Sequence, residues 1–272
     1  MDRIPVELGT IQETLLITLA GRARESVKRK PILVDPKAAD IMAALDNPSK
    51  KLTRGAGPDP SVLRTAIVDT WVREFLAAHP DGTVVEIGTG LNARFDRVDN
   101  GHVHWLDLDL PDTIALRRHF FTDTERRRML VASVLDDSWY DTVSAQPGPY
   151  CFVAEGVLVY LPEADVRRAL DNLAARFPHA TVILDYYSPG MLRFQNRAAD
   201  KGAMDARWAW TGGEPESFAA QGLRVTDARS ITDPPPALRS TLPRSYRLAL
   251  PVLHRVLPKG FGLAKFHTDR AR

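Results

Sequence analysis

The chain has 272 residues, of which 44% are hydrophobic and 26% charged, and its formal net charge is +2. That length accommodates one large α/β domain or two small ones with a sizeable core, and the small net charge gives no electrostatic reason to expect a nucleic-acid partner. The single cysteine, Cys151, excludes an intrachain disulfide and fits a reducing compartment. The early apolar run Leu15 to Ala20 is too short to span a bilayer and follows Glu7 and Glu13 rather than a basic segment, unlike a signal peptide. A cytoplasmic protein without a membrane partner is expected.

In chain order, residues 10–30 predict a helix. Its apolar face is Ile11, Leu15 and Leu19, and its basic end is Arg22, Arg24, Lys28, Arg29 and Lys30, where cations suit a helix C-terminus. Pro36 after Asp35, and Pro60 after Asp59, mark two further helix starts. The second helix should run to about Ala78, with Leu63, Ile67, Trp71 and Phe75 on its buried face. Residues 1–60 read as a helical cap belonging to the same domain, and residues 61–272 as the main domain.

From Thr83 the pattern alternates strand and helix, which implies parallel pairing through crossover helices. Strands are expected at 83–87, 102–108, 129–133, 150–154, 181–187, 223–228 and 261–267, with helices starting near Pro111 and Pro162. The helix-like stretch 244–256 ahead of the last strand suits an antiparallel entry. The expected fold is Rossmann-like, with a seven-stranded, mostly parallel sheet whose last strand is antiparallel.

The chemistry begins at Val84-Val85-Glu86-Ile87-Gly88-Thr89-Gly90. Gly88 and Gly90 can take positive φ and let a ligand lie against the main chain, at the carboxyl ends of the strands. A plain strand-to-helix turn is the alternative. Glu86 at the strand end suits an ammonium better than a diphosphate, and no third glycine follows, since Ala93 stands near that place. Asp107 and Asp109 share one face of the next strand, where a carboxylate can hold ribose hydroxyls. Asp109 could instead cap the helix at Pro111. Ser133, Val134 and Leu135 at the next strand end could flank an adenine ring. Glu155 ends an otherwise apolar strand, which is costly unless it faces a polar cleft or pairs with an arginine.

Taken together, these motifs resemble the leucine carboxyl methyltransferase family, within it the bacterial polyketide-tailoring O-methyltransferases of the tetracenomycin type. The likeness is carried by Glu13 to Arg22, Leu63-Arg64-Thr65, Glu86 to Arg94, Trp105 to Pro111, Ala154 to Leu161 and Leu184-Asp185-Tyr186-Tyr187. Asn92-Ala93 departs from the small acid or serine and threonine common in relatives. The resemblance implies a class I methyltransferase fold that binds S-adenosylmethionine. It implies that Arg64 pairs with the methionine carboxylate, that the turn at Gly88 and Gly90 lies under the methionine, and that Asp109, or Asp107, holds the ribose. Ser133, Val134 or Leu135 would contact adenine, and Glu155 would line the methionine pocket.

The acceptor expected is a carboxyl or hydroxyl of a small aromatic molecule. Tyr160, Tyr187 and Trp210 are candidates for its wall, though Trp208, Trp210 and Phe218 could equally be core. Methylation of a protein C-terminal carboxylate, a nicotinamide-dependent oxidoreductase and a non-catalytic cofactor-binding protein are the alternatives. No residue is singled out as a general base. His102 and His104 share a strand face but lack a third metal ligand, so no metal is expected.

Overall fold

The computed structural model describes residues 3–46, 59–201, 206–256 and 260–269. A 3-10 turn at Gln12–Thr14 leads into α1 (Leu15–Ser26), followed by α2 (Pro36–Ala44) and α3 (Pro60–Ala78). Both Asp-Pro pairs start helices. Asp35 accepts a hydrogen bond from the Ala38 N–H at 3.0 Å and Asp59 from the Ser61 N–H at 3.0 Å, while each proline occupies a position whose N–H has no helical partner. The predicted face of α3 is buried at Leu63, Ile67, Trp71 and Phe75.

The first helix differs from the expectation. It ends at Ser26, so Lys28, Arg29 and Lys30 lie beyond it, and Ile11 is 43% exposed. Arg22 is not a solvated cation at a helix end. It is 3% exposed and pairs with Asp35 at 2.9 Å, because the chain doubles back from α1 to α2 and brings that carboxylate under it. The buried stripe of α1 is Leu16, Leu19 and Ala20.

The alternating part contains β1 (Thr83–Ile87), α4 (Arg94–Val98), β2 (His104–Asp109), α5 (Pro111–Arg117), β3 (Arg127–Val131), α6 (Tyr140–Ser144), β4 (Tyr150–Ala154) and α7 (Glu163–Arg176). It continues with β5 (Thr181–Tyr187), α8 (Pro189–Asp200), β6 (Leu223–Ser230), α9 (Pro236–Thr241), α10 (Arg244–Val256) and β7 (Phe261–Thr268). The sheet order is β3-β2-β1-β4-β5-β7-β6. All neighbours from β3 to β5 run parallel, and β7 inserts antiparallel between β5 and β6. This is the class I methyltransferase topology expected from the sequence. β3 starts at Arg127 rather than 129, in register with Trp105 of β2. His102 precedes β2 and is exposed, so it shares no strand face with His104.

Successive strand residues feed opposite faces. Val85, Leu106, Phe152 and Leu184 pack under α6 and α7, whereas Val84, Trp105, Cys151 and Ile183 pack under α3 and α10. Cys151 is fully buried there, and burial pushes its thiol up to about 12, so it is an inert core group. A third cluster joins Leu16, Leu19, Ile41 and Leu45 of the N-terminal segment to Leu91, Ala93 and Ile114. The N-terminal segment therefore packs beside the glycine turn; residues 47–58 of the expected cap lie outside the described residues. Among the described residues no helix is long and apolar enough to cross a membrane.

Candidate functional site

The strand order reverses direction between β1 and β4, and in open α/β sheets the crevice at such a point receives ligands. The residues that converge there come from the ends of β1, β2, β4 and β5 and from α3. Gly88 has φ +64° and Gly90 φ +52°. A Cβ at Gly88 would lie 2.3 Å from Val157 Cγ2, so this position admits only glycine without a shift of the β4 loop. Gly88 and Thr89 donate to the Leu108 carbonyl at 2.7 and 3.2 Å, which ties the turn to β2.

Asp109 stands at the mouth of this turn. Its two oxygens accept from the Gly90 N–H at 2.7 Å and the Leu110 N–H at 2.8 Å, and it remains partly exposed. Burial raises its pKa against those two N–H groups. It does not cap α5, whose N-terminal cap is Leu110 with no side-chain bond. Asp107, expected to share the ribose role, is placed differently. It is fully buried one pleat deeper, and accepts from Thr89 Oγ1 (2.9 Å), Trp105 Nε1 (3.0 Å) and Arg127 Nε (2.7 Å) while pairing with Arg117 (3.0 Å). Burial opposes its charge, but Arg117 and Arg127 outweigh it and its pKa falls. With both oxygens engaged by side chains beneath the turn, Asp107 braces Thr89 and β2 from within the core.

Under the turn lies a set of arginines that sequence reasoning missed. Arg117 donates to the Gly90 carbonyl at 2.7 Å and the Asn92 carbonyl at 2.9 Å, and Arg22 of α1 donates to the Leu91 carbonyl at 3.1 Å. Arg97 donates to Asn92 Oδ1 at 2.9 Å, and Asn92 Nδ2 in turn to Glu86 at 2.9 Å. Asn92, the departure from the family pattern, is thus a working link. The one sequence signal was Arg94 itself, placed just after the turn and within reach of Glu86.

Arg94 is fully buried and pairs with three carboxylates, Asp69 (2.7 Å), Glu86 and Glu155. Glu155 also accepts from Arg64 Nε at 2.9 Å and Thr65 Oγ1 at 2.8 Å. Burial alone would raise the Glu155 pKa, but Arg94 and Arg64 prevail and hold it at about 2. Glu86 behaves oppositely. Burial pushes it up to about 7 despite Arg94, and its Oε2 has no hydrogen-bond partner among the described residues. Arg64 is 8% exposed and is engaged through Nε and Nη1, the latter with Asp185 at 3.1 Å and Tyr187 Oη at 3.0 Å. The arginine salt bridge weighed as the alternative for Glu155 is thus present, with Arg64 and Arg94 as its partners.

The end of β3 carries Ser133, Val134 and Leu135. Ser133 Oγ accepts from the Leu135 N–H at 3.1 Å, closing a small turn, and Val134 packs against the core beside that turn. Of the aromatic candidates, Tyr160 and Tyr187 join Val159 and Trp208 in one cluster with Met191 and Phe261, and the Tyr187 and Trp208 rings are 4.3 Å apart. Trp210 is a core residue, packed edge-on against Phe218 at 5.6 Å in the cluster under α7. Trp208 is buried in the other cluster, because residues 206–211 run without regular structure and the two side chains follow no common period. A groove of about 980 Å³ elsewhere, between α2, α3 and α9, is lined by none of Arg64, Asp109 or Glu155. Among the described residues no His, Cys, Asp or Glu cluster is arranged to hold a metal.

Residues 15–174 match the leucine carboxyl methyltransferase family model. The chain belongs to the leucine carboxyl methyltransferase family. It is 34% identical over 235 residues to the tetracenomycin polyketide synthesis O-methyltransferase TcmP of Streptomyces glaucescens, covering 85% of this chain and 86% of the relative. It is also 25% identical over 215 residues to the S-adenosyl-L-methionine-dependent methyltransferase dpfgK of Gibberella zeae, covering 71% of each. Among solved structures, the N-methyltransferase NodS of Bradyrhizobium japonicum aligns with a TM-score of 0.49 at 14% identity, over 76% of this chain and 96% of that one. Membership makes this chain an S-adenosylmethionine-dependent methyltransferase, so the oxidoreductase and non-catalytic readings fall. In the family frame, the clustered Arg64, Glu86, Asp109 and Glu155 are the polar groups at the head of the sheet.

Proposed function

We propose that this methyltransferase transfers the methyl group of S-adenosylmethionine to an oxygen of a small aromatic, polyketide-like acceptor. The observation that carries the reading is the convergence of Arg64 and Glu155 (2.9 Å apart) with Asp109 and the Gly88–Gly90 turn around the β1–β4 switch point. The donor set suits the cofactor part by part. Arg64 has Nη2 left over for a carboxylate, Glu155 and the unpartnered Oε2 of Glu86 suit an ammonium, and Asp109 suits a ribose diol. The turn at Gly88 and Gly90 brings main chain to the crevice beside the methionine end, and Ser133, Val134 and Leu135 at the end of β3 are assigned to adenine from the family resemblance. The cofactor, when bound, supplies an electrophilic methyl on a sulfonium.

The chain's own part is to orient and to exclude water. Tyr160, Tyr187 and Trp208 pack in one aromatic cluster, joined to Arg64 through the Tyr187 hydroxyl, and are assigned to the acceptor side. Tyr187 is unsuited to act as a base, since burial and the neighbouring Asp185 raise its phenol well above the ordinary range and its hydroxyl already donates to Asp185 at 2.7 Å. An acceptor already ionised at neutral pH, a carboxylate or an acidic phenol, fits a site without an evident base. The small aromatic acceptor is supported by the likeness to TcmP; a protein C-terminal carboxylate is the competing acceptor. The packing of α1 and α2 against the turn supports residues 1–60 as a cap, and a single cysteine in the sequence fits the reducing cytoplasm. Calorimetric titration with S-adenosylhomocysteine and with NAD tests the cofactor assignment. Micromolar-range binding of the first alone is expected, and tighter NAD binding would refute it.

A further inference from the structure

We infer that Asp185 is a positioning residue for the amino-acid end of the cofactor, acting through Arg64 and the Gly156 main chain. It rests on the assignment of Arg64 to the methionine carboxylate. Asp185 lies near the end of β5, is 3% exposed, and gathers three donors on one oxygen. Its Oδ2 accepts from the Gly156 N–H at 2.7 Å, Tyr187 Oη at 2.7 Å and Arg64 Nη1 at 3.1 Å. Arg64 Nη1 also donates to Tyr187 Oη at 3.0 Å, so the phenol and the carboxylate form a paired seat for one guanidinium nitrogen.

The second nitrogen, Nε, is seated by Glu155 at 2.9 Å. A planar guanidinium held at two of its three nitrogens has its plane and its direction fixed. The remaining one, Nη2, has no protein partner among the described residues, and it is the nitrogen left to meet a carboxylate. Gly156 packs against it, since a Cβ there would lie 2.9 Å from Nη2. Asp185 thus sets both the fork and the main chain that covers it. Without that carboxylate, Arg64 keeps Glu155 and the Tyr187 hydroxyl but loses the charged half of its Nη1 seat, and the missing ordering must come from the cofactor on binding.

A role confined to the amino-acid end separates ligands that differ only there. Calorimetry would compare S-adenosylhomocysteine with 5′-methylthioadenosine, which keeps the nucleoside and thioether but lacks the amino acid. Asp185→Asn is expected to weaken S-adenosylhomocysteine by about tenfold or more, the loss of a charge-assisted contact, and to leave 5′-methylthioadenosine unchanged. Tyr187→Phe should give a smaller loss of about threefold with the same selectivity. In turnover, KM for S-adenosylmethionine should rise in Asp185→Asn while kcat stays near wild type. Equal losses for both ligands, or no loss for either, would overturn the role of Asp185. If Asp185→Asn does not fold, Tyr187→Phe decides by the same comparison. A wild-type enzyme that binds S-adenosylhomocysteine no more tightly than 5′-methylthioadenosine would instead overturn the assignment of Arg64, and this inference with it.

Discussion

Arg22, on the first helix, donates to the main-chain carbonyl of Leu91 in the glycine turn at 3.1 Å while paired with Asp35 at 2.9 Å. A residue of the N-terminal helices thereby holds the glycine turn from beneath. Deleting residues 1–30 removes that donor together with the α1 packing surface. Loss of S-adenosylhomocysteine binding along with methyl transfer is the expected result, measured by calorimetry and by product mass spectrometry. The point variant Arg22→Met breaks a buried pair, a change that costs about 3–5 kcal/mol, and should lower Tm as well as affinity. A truncated protein with undiminished cofactor affinity would show that the turn needs no support from the cap.

Arg64→Ala should weaken S-adenosylmethionine binding by about 1.5–3 kcal/mol, the range for hydrogen bonds to charged groups. Because Arg64 is 8% exposed and pairs with both Glu155 and Asp185, stability should fall too, by about 3–5 kcal/mol, chiefly because buried Asp185 loses its arginine while Glu155 keeps Arg94. Urea denaturation alongside calorimetry separates the two effects. An unchanged unfolding midpoint would contradict the buried ion cluster.

Gly88→Ala places a Cβ 2.3 Å from Val157 Cγ2 at a φ of +64°. Strain of about 1–2 kcal/mol from the backbone alone adds to that collision, so cofactor affinity should collapse. Gly101 is the control, with φ +86° and nothing within 4 Å of its Cβ. Gly101→Ala should cost only the backbone strain and leave S-adenosylhomocysteine affinity at the wild-type value.

Acid should weaken the fold through Glu155 and Asp69. Each is held at about 2; burial opposes the charge, Arg94 and Arg64 overcome it for Glu155, and Arg97 and Arg94 for Asp69. A depressed carboxylate pKa stabilises the folded state above the unfolded value and loses that contribution as pH falls through the folded one. Stability should therefore decline between about pH 4.5 and pH 2, the window set by the ordinary and shifted values. Urea midpoints across that range provide the measurement, and Glu155→Gln should flatten part of the decline.

Trp208 and Trp210, two residues apart, should respond in opposite ways. Trp210→Ala removes a core ring packed on Phe218 and is expected to cost about 3–5 kcal/mol of stability. Trp208→Ala, beside Tyr187, should raise KM for the acceptor with a smaller change in Tm. Reversed outcomes would return Trp210 to the acceptor wall.

By itself the sequence determined the strand and helix alternation, the Asp-Pro helix starts, and the turn at Gly88 and Gly90. Each of these is local: apolar runs form strands, proline after a capping acid starts a helix, and glycine alone takes positive φ freely. It also placed Asp109 and Glu155 at strand ends, where a costly charge must find a partner or a ligand, while Arg64 was marked only by the family resemblance. Only the tertiary structure decided which acid was which. Asp107 and Asp109 share one strand face, yet the deeper one meets Arg117 and Arg127 and the outer one meets only main-chain N–H groups. Arg22, Arg117 and Asp185 leave no local trace of their pairing because their partners lie on other elements; Arg64 and Asp185 are 121 positions apart. Ion pairs over such separations arise from sheet order and helix docking, so packing alone chose them.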